Sequence, residues 1–499
     1  MRTIDWIVVT IYMIGMLAIG EYYARRTKSD EDYLLGGRNM GFMSIGMSLF
    51  AALLSTISCL AVPGEMIRHG PMIFAESLAC PLVYLVVGFL IIPAFMKQRV
   101  TSAYEILENR FGVGVRMLGA TLFLSLRLLW MGVLVYATAH EVLIPLTGLP
   151  DWATPIVCLV MGAVTVVYTS MGGLRAVVVT DVIQESILLI GIALTIVVTT
   201  VALGGVGAWW PDQWLSHWDP LTVGVDTKAR VSIPIAVLGG FLWWTCTAGS
   251  DQIAIQRYFA TRDAKTARHA LGVSLVAGVL AIVLLACVGL SVLAYFNRFP
   301  EKLAEGTDVY RDADKLFARF IVVGLPPGIT GLVIAGLVAT AMSSLSSGIN
   351  SACSVITADF VDRFSHFKER KIDHLRRTKM ISWIIGILVI LSSAVVGLIP
   401  GNLMEISYKT VQLLVAPLFV LFFMAMFVPW ANSFGTFVAA AVSTAVAVYI
   451  AFAGWFFPDR LGLSFIWILP ASLAAGMVVG PLVSLIPLVF NNRSANRRN

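Results

Sequence analysis

Charge is scarce in this sequence. Only 13% of its 499 residues are Asp, Glu, Lys or Arg, against about a quarter in a soluble globular protein. The chain cannot clothe a water-soluble body of its own length. With 58% hydrophobic residues it is not a polar disordered chain either. Cysteine and histidine are sparse too, six of each. Cys59, Cys80, Cys158, Cys246, Cys287 and Cys353 stand singly in apolar stretches, form no CxxC pair and share no metal-ligand spacing with the histidines. Neither a disulfide framework nor a zinc centre is expected, and small buried hydrophobes are. His140-Glu141 lacks the second histidine of a zincin, and no Walker lysine motif occurs. A membrane enzyme or a nucleotide-driven pump would have no chemistry here, and no organic cofactor is expected. The short alternating segments of a transmembrane barrel are also missing.

What the chain does have is long apolar runs, thirteen of them near the twenty or so residues that cross a bilayer. They fall at about 4–22, 42–68, 72–96, 116–146, 152–171, 180–203, 231–256, 270–295, 325–358, 380–399, 403–428, 433–456 and 464–489. The fold class expected is an all-α integral membrane protein of about 13 transmembrane helices. The opening Met1-Arg2-Thr3-Ile4-Asp5 is not a basic leader, so the first run reads as a retained span. If the chain starts outside, its inner segments collect 23 of the 35 Lys and Arg, from Arg25 and Arg26 through Arg257 to Arg498. The positive-inside rule then gives a multi-pass protein of the cell membrane with the N-terminus outside and the C-terminus cytoplasmic. Topology thereby accounts for the net charge of +6, and nucleic acid is not an expected partner. Two features lie outside the spans. Trp209, Trp210, Trp214 and Trp218 in the loop 205–230 suit an interfacial belt or a lid. Ser102 and Glu105, three apart, suit a capping box opening a short helix over 103–111.

Polar or helix-breaking residues at membrane depth need a reason. The second span contains Ser55-Thr56-Ile57-Ser58 and then Pro63-Gly64. The seventh contains Gly239-Gly240, then Trp244-Thr245-Cys246-Thr247 and Asp251. Interrupted segments at matching places in two blocks of five spans are the pointer to a transporter built from inverted repeats. In the ninth span Thr340, Ser343, Ser344, Ser347 and Ser351 fall on one stripe at 100° per residue, with Ser346 and Asn350 beside it. Such a column suits a hard cation or close packing of small residues. Asp181 suits a helix cap or the negative charge of that cation site.

Together these segments resemble the sodium:solute symporter family. The resemblance rests on Asp32-Tyr33-Leu34-Leu35-Gly36-Gly37-Arg38, Ser102-Ala103-Tyr104-Glu105, Met171-Gly172-Gly173-Leu174-Arg175, Thr180-Asp181-Val182-Ile183-Gln184, Gln256-Arg257-Tyr258 and the Ser343–Ser347 run, in this order along nearly the whole chain. It implies a five-plus-five inverted-repeat core with one helix before it and two after. The halves are 42–203 and 231–428, flanked by 1–41, 204–230 and 429–499. It implies sodium as coupling ion. A first site would use the carbonyls of Ala51, Leu54 and Thr340 and the hydroxyls of Ser343 and Ser344. A second would use Asp181 with Ser343, Ser346 and Ser347, which favours two ions per solute.

The expected partners are sodium, a small organic solute and the lipid bilayer, with no obligatory protein partner. Solute contacts are expected from Ser55, Thr56, Ser58, Glu76, Ser77, Trp130, Trp244, Thr245, Thr247 and Gln412. Thr247 and Ser77 stand where sodium–galactose carriers have an aromatic gate and a carboxylate, which argues against a sugar. Trp130 stands where sialic acid carriers have an arginine. The stretch from Trp130 to Ala137 looks like the monocarboxylate and vitamin branch, which leans the reading to an organic anion. Arg127 is open to pairing with a carboxylate solute or with a protein acid. The alternatives are a sodium–sugar or sodium–amino acid symporter and, more distantly, a sodium-independent channel or sensor.

Overall fold

The computed structural model describes residues 2–98, 100–224, 230–364, 371–396, 403–456 and 467–495. Among these no strand occurs. The helices, in chain order, are α1 (Thr3–Ala24), α2 (Phe42–Leu53), α3 (Thr56–His69), α4 (Pro71–Met96), α5 (Glu105–Phe111), α6 (Val113–Thr147), α7 (154–172), α8 (174–203), α9 (Ile233–Ser250), α10 (Gln252–Phe259), α11 (Ala264–Arg298), α12 (Ala313–Val323), α13 (Ile329–Phe364), α14 (Lys371–Val396), α15 (Leu403–Phe427), α16 (Ser433–Phe456) and α17 (Ile468–Ala495).

By length and composition ten helices among the described residues can cross a membrane, or eleven with the bent pair α2–α3 taken as one span. Two further expected spans are hidden from such a count. The continuous stretch Asp151–Leu203 is broken at Gly173, and the described apolar part of α15, Leu413–Phe427, is short. With these included, each of the thirteen apolar runs has its counterpart. Gly173 has φ +64° and ψ −160°, a backbone region open essentially to glycine alone. A Cβ there would lie 2.6 Å from the Tyr33 carbonyl oxygen. We expect Gly173→Ala to cost about 1–3 kcal/mol from the backbone alone, read as a lowered melting temperature of the purified protein.

α13 is the axis of the molecule. Nearly every residue from Val333 to Val355 is buried, because α1, α3, α6, α8, α10 and α14 pack around it. Small residues let the backbones close in: a Cβ on Gly336 would lie 3.0 Å from the Leu188 Cα, and one on Gly20 2.7 Å from the Tyr168 Cα. α1, by contrast, leaves Ile4, Ile7, Ile11 and Ile14 exposed, as a lipid-facing helix should. Its one buried acid, Asp5, accepts hydrogen bonds from the Gly328 and Gly331 amides at 2.8 and 3.0 Å. It thereby satisfies donors that the start of α13 would otherwise leave unpaired. α16 and α17 pack on each other and on α15, the two additional helices at the end.

Two local expectations change, while the second span unwinds midway as expected, at Leu54 and Ser55, with a 73° bend. Proline stays inside α3, and Gly64 makes room for Asp314, which a Cβ would meet at 2.2 Å. The seventh span runs straight through Gly239-Gly240 and breaks at Asp251 (φ −81°, ψ 126°). Gly240 is needed for packing, because a Cβ there would lie 2.8 Å from the Glu76 backbone oxygen. The short helix starts at Glu105, and only half of the capping box forms. Glu105 accepts from the Thr101 and Ser102 amides at 2.9 and 2.8 Å, while the Ser102 hydroxyl donates to Asp359 at 2.5 Å.

Candidate functional site

At the break Leu54 and Ser55 are extended. The Ser55 hydroxyl caps α3 by accepting from the Ser58 amide at 3.1 Å. Two hydrogen bonds stitch the break to α13. Ser344 donates to the Leu54 carbonyl at 2.7 Å, and Thr56 donates to the Leu337 carbonyl at 2.9 Å. α2 ends here, so the carbonyls of Ala51, Ala52 and Leu53 point past the last turn without an intrahelical partner. They form the negative end of the helix dipole. Facing them, α13 supplies the Ser343 and Ser344 hydroxyls and the backbone of Thr340, whose own hydroxyl turns back to the Gly336 carbonyl at 2.9 Å. The structure thus brings oxygens of two helices together at the break, joined by the Ser344–Leu54 hydrogen bond. This donor chemistry fits a hard monovalent cation, since oxygen is the preferred ligand.

Asp181 lies behind this pocket, fully buried on α8. It is no helix cap, being in mid-helix. It accepts from Ser343 at 2.8 Å, Ser48 at 2.5 Å and Arg257 at 3.0 Å. Arg257 is itself completely buried and also donates to Ser48 at 2.9 Å, Ser347 at 2.5 Å and the Ile253 carbonyl at 3.0 Å. Ser346 donates to the Ser343 carbonyl at 3.0 Å. Asp181, Ser343 and Ser347 therefore come together, while Ser346 turns back to its own helix, and in this conformation a guanidinium already sits on the carboxylate. The positive-inside tally had counted Arg257 as a cytoplasmic charge. Its place in the core is a correction, and so is that of Arg116, 6% exposed. Ser48 was not anticipated, because a lone serine in an apolar helix gives no signal.

The second break carries its own ion pair. Asp251 caps α10 by accepting from the Ile253 amide at 2.9 Å and pairs with Arg127 of α6. Arg127 thus meets a protein acid. The remaining solute-side residues are scattered along α3, α4, α6 and α9. Ser58 pairs with Ser55 at 2.9 Å. Glu76 lies against Gly240. Ser77 and Trp244 share with Phe50 and Cys80 a cavity of about 20 Å³. The hydroxyls of Ser77, Thr245 and Thr247 are buried without a partner. Trp130 is half-buried on α6, without a hydrogen bond to a described residue. The side chain of Gln412 lies outside the described residues.

Both faces over this site are closed. On the face rich in Lys and Arg, Arg116 donates to Asp359 at 2.6 Å and to Glu108 at 2.5 Å, and Arg363 reaches Glu108 at 2.8 Å. Arg363, with Arg116 behind it, holds the Glu108 carboxyl below the usual carboxylate range. Gln252 ties the start of α10 to the Thr101 carbonyl at 3.2 Å and to Ser354 at 3.0 Å. On the opposite face the tryptophan loop packs over the end of α3. Trp209 and Trp218 are each 8% exposed and pack with Met66 and Leu290, while Trp210 and Trp214 stay outside. The loop is pinned to α3 by His69–Asp219 at 3.3 Å and Arg230–Glu65 at 2.6 Å.

Comparison with known proteins decides what this arrangement belongs to. The model of the sodium:solute symporter family matches residues 33–443. The chain belongs to the sodium:solute symporter family. Sodium-coupled monocarboxylate transporter 1 of Xenopus laevis is 29% identical over 467 residues, 89% of this chain and 71% of that protein. The sodium/sialic acid symporter NanT of Aliivibrio fischeri is 26% identical over 454 residues, 90% of this chain and 88% of that one. A solved Na+-coupled sialic acid symporter, in a substrate-bound outward-open state, superposes with a TM-score of 0.83 at 24% identity, over 98% of both chains. That likeness establishes the fold. As a member of the family the chain is a sodium-coupled symporter, and its relatives are transporters, not enzymes.

Proposed function

We propose that this symporter imports a small organic anion with sodium by alternating access. The observation that carries the anion is the start of α3. The amides of Thr56 and Ile57, at the positive end of that helix, have no acceptor among the described residues, which is where a carboxylate is favoured. Two relatives, named for monocarboxylate and for sialic acid, take carboxylates, which supports the same reading. Arg127 is not the solute's cation, being held by Asp251. Ser55, Ser58, Glu76, Trp130 and Gln412 would line the solute path, with the unpartnered hydroxyls of Ser77, Thr245 and Thr247 offered to the solute's polar groups. A cavity of about 20 Å³ holds about one water, so the solute enters when α4 and α9 part.

The first sodium ion would be held by Ala51, Leu54, Thr340, Ser343 and Ser344. A second would take the place of Arg257 on Asp181, Ser343, Ser346 and Ser347, and only once the guanidinium has swung away. Each ion crossing 100 mV releases about 2.3 kcal/mol, and a tenfold gradient adds about 1.4 kcal/mol, so two ions supply roughly 7 kcal/mol. The moving halves would be 42–203 and 231–428. The face rich in Lys and Arg would be cytoplasmic and the tryptophan loop external, in the cell membrane; leaving out the buried Arg116 and Arg257 does not change the sign of that excess.

The test is the melting temperature of purified protein with a panel of monocarboxylates, sugars and amino acids, in sodium and in potassium. A carboxylate should stabilise the protein in sodium only. Stabilisation by a sugar, or by a zwitterionic amino acid with no response to any carboxylate that lacks an ammonium group, would overturn the anion reading.

A further inference from the structure

One ionisable group at the centre of the molecule has no part in the scheme above. Glu185 lies on α8 one turn beyond Asp181, so the two share a helix face. It is 0% exposed, and neither of its carboxyl oxygens has a hydrogen-bond partner. The side-chain oxygen of the adjacent Gln184 is buried and unpartnered too, while its nitrogen donates to the Tyr12 hydroxyl at 2.8 Å. The other buried acids of the core are provided for. Asp181 has Arg257 and two serines, Asp251 has Arg127, and Asp359 has Arg116 and Ser102.

Among the described residues the surroundings of Glu185 offer no cation free to pair with it. α1 brings Tyr12 and α3 brings Cys59. On its own helix stands Asp181, whose charge repels an ionised neighbour and whose partner Arg257 is committed to it. The neighbouring stretches of α2 (42–53), α11 (270–285) and α13 (337–344) carry only apolar and hydroxyl residues and no ionisable side chain. A carboxylate so placed is strongly disfavoured at this depth, and the group is stable there as the neutral acid.

We propose that Glu185 is a proton-binding site of the transport core, and that sodium and the proton exclude one another across it. With the sodium pocket empty, Glu185 holds a proton. When a sodium ion enters the pocket at the α2–α3 break, its charge favours the ionised carboxyl. The O–H bond breaks, the electron pair stays on the carboxylate, and the proton leaves to water on the open side. One positive charge enters and one departs. The link acts through space, since no hydrogen bond joins Glu185 to any residue of the sodium pocket. By linkage, sodium affinity must then fall as the proton becomes more abundant. The inference rests on the sodium reading given above.

The experiment is a sodium titration of the purified full-length protein in weakly buffered solution, with potassium as control and a pH indicator reporting proton release. Sodium binding is followed in parallel by tryptophan fluorescence or melting temperature. The wild type should release close to one proton per sodium bound, and its apparent sodium affinity should weaken as pH is lowered, approaching tenfold per pH unit. Glu185→Gln should bind sodium without releasing a proton and with an affinity flat in pH. If that variant does not fold, the wild-type proton count decides alone. Sodium binding with no proton release by the wild type overturns the inference and leaves the sodium site standing. Proton release undiminished in Glu185→Gln also overturns it, by placing the proton elsewhere. Absence of any sodium binding sinks the sodium reading, and this inference with it.

Discussion

Asp181→Asn should be among the most damaging single substitutions in this chain. It removes the carboxylate charge from a pair in which both side chains are fully buried, leaving the Arg257 guanidinium without a counter-charge. Breaking one side of such a pair costs about 3–5 kcal/mol, because the remaining ion keeps its desolvation penalty and loses its partner. Ser48 and Ser347 would still accept from Arg257, but hydroxyls do not neutralise it. Adding Arg257→Gln should restore a large part of the loss, since two neutral amides can satisfy each other. A double-mutant cycle on melting temperature would show this as non-additivity. Additive effects, or an Asp181→Asn variant as stable as the wild type, would mean that the pair is not a buried unit. A merely capping aspartate would give a loss near 1 kcal/mol and no rescue.

Ser344→Ala should act on sodium and spare the fold. Its hydroxyl is the bond between α13 and the Leu54 carbonyl at the break and one of the oxygens facing the ion. An oxygen ligand to a charged group contributes roughly 1.5–3 kcal/mol. The half-saturating sodium concentration should therefore rise roughly 10- to 100-fold, with a small fall in melting temperature. Ser351→Ala is the control, because that hydroxyl bonds only to the Gly348 carbonyl of its own helix. It should change sodium dependence little. Equal effects of the two substitutions would show that the serine stripe serves helix packing alone.

Much of this architecture was legible because the bilayer demands it. A span must be long and apolar, so thirteen runs announced thirteen crossings, and Gly173 marked the turn that a count of continuous helices passes over. The first break was legible in place, at the hydroxyl residues midway along its span, but the second was not. The paired glycines looked like its point of rupture, yet Gly240 serves Glu76. The true ruptures are set by residues that cap a new helix, Ser55 and Asp251, whose signal is weak until a partner is seen across the fold. Pairing was the least readable property. Arg257 looked like a cytoplasmic charge because its partner, Asp181, lies 76 residues away. Ser102 looked like half of a capping box until Asp359 claimed its hydroxyl. Glu185 went unnoticed because the family motif ends at Gln184, and a single acid in an apolar helix does not reveal whether it faces a cation or nothing.

The central claim is that oxygens gathered at the α2–α3 break and the middle of α13 capture sodium, and that this capture drives the solute uphill. Its most direct measurement is uptake of a solute that stabilises the protein, into proteoliposomes with an inward sodium gradient and, in parallel, an equal potassium gradient. The internal concentration should rise above the external one in sodium and only equilibrate in potassium. Accumulation of equal size under both gradients would contradict the account.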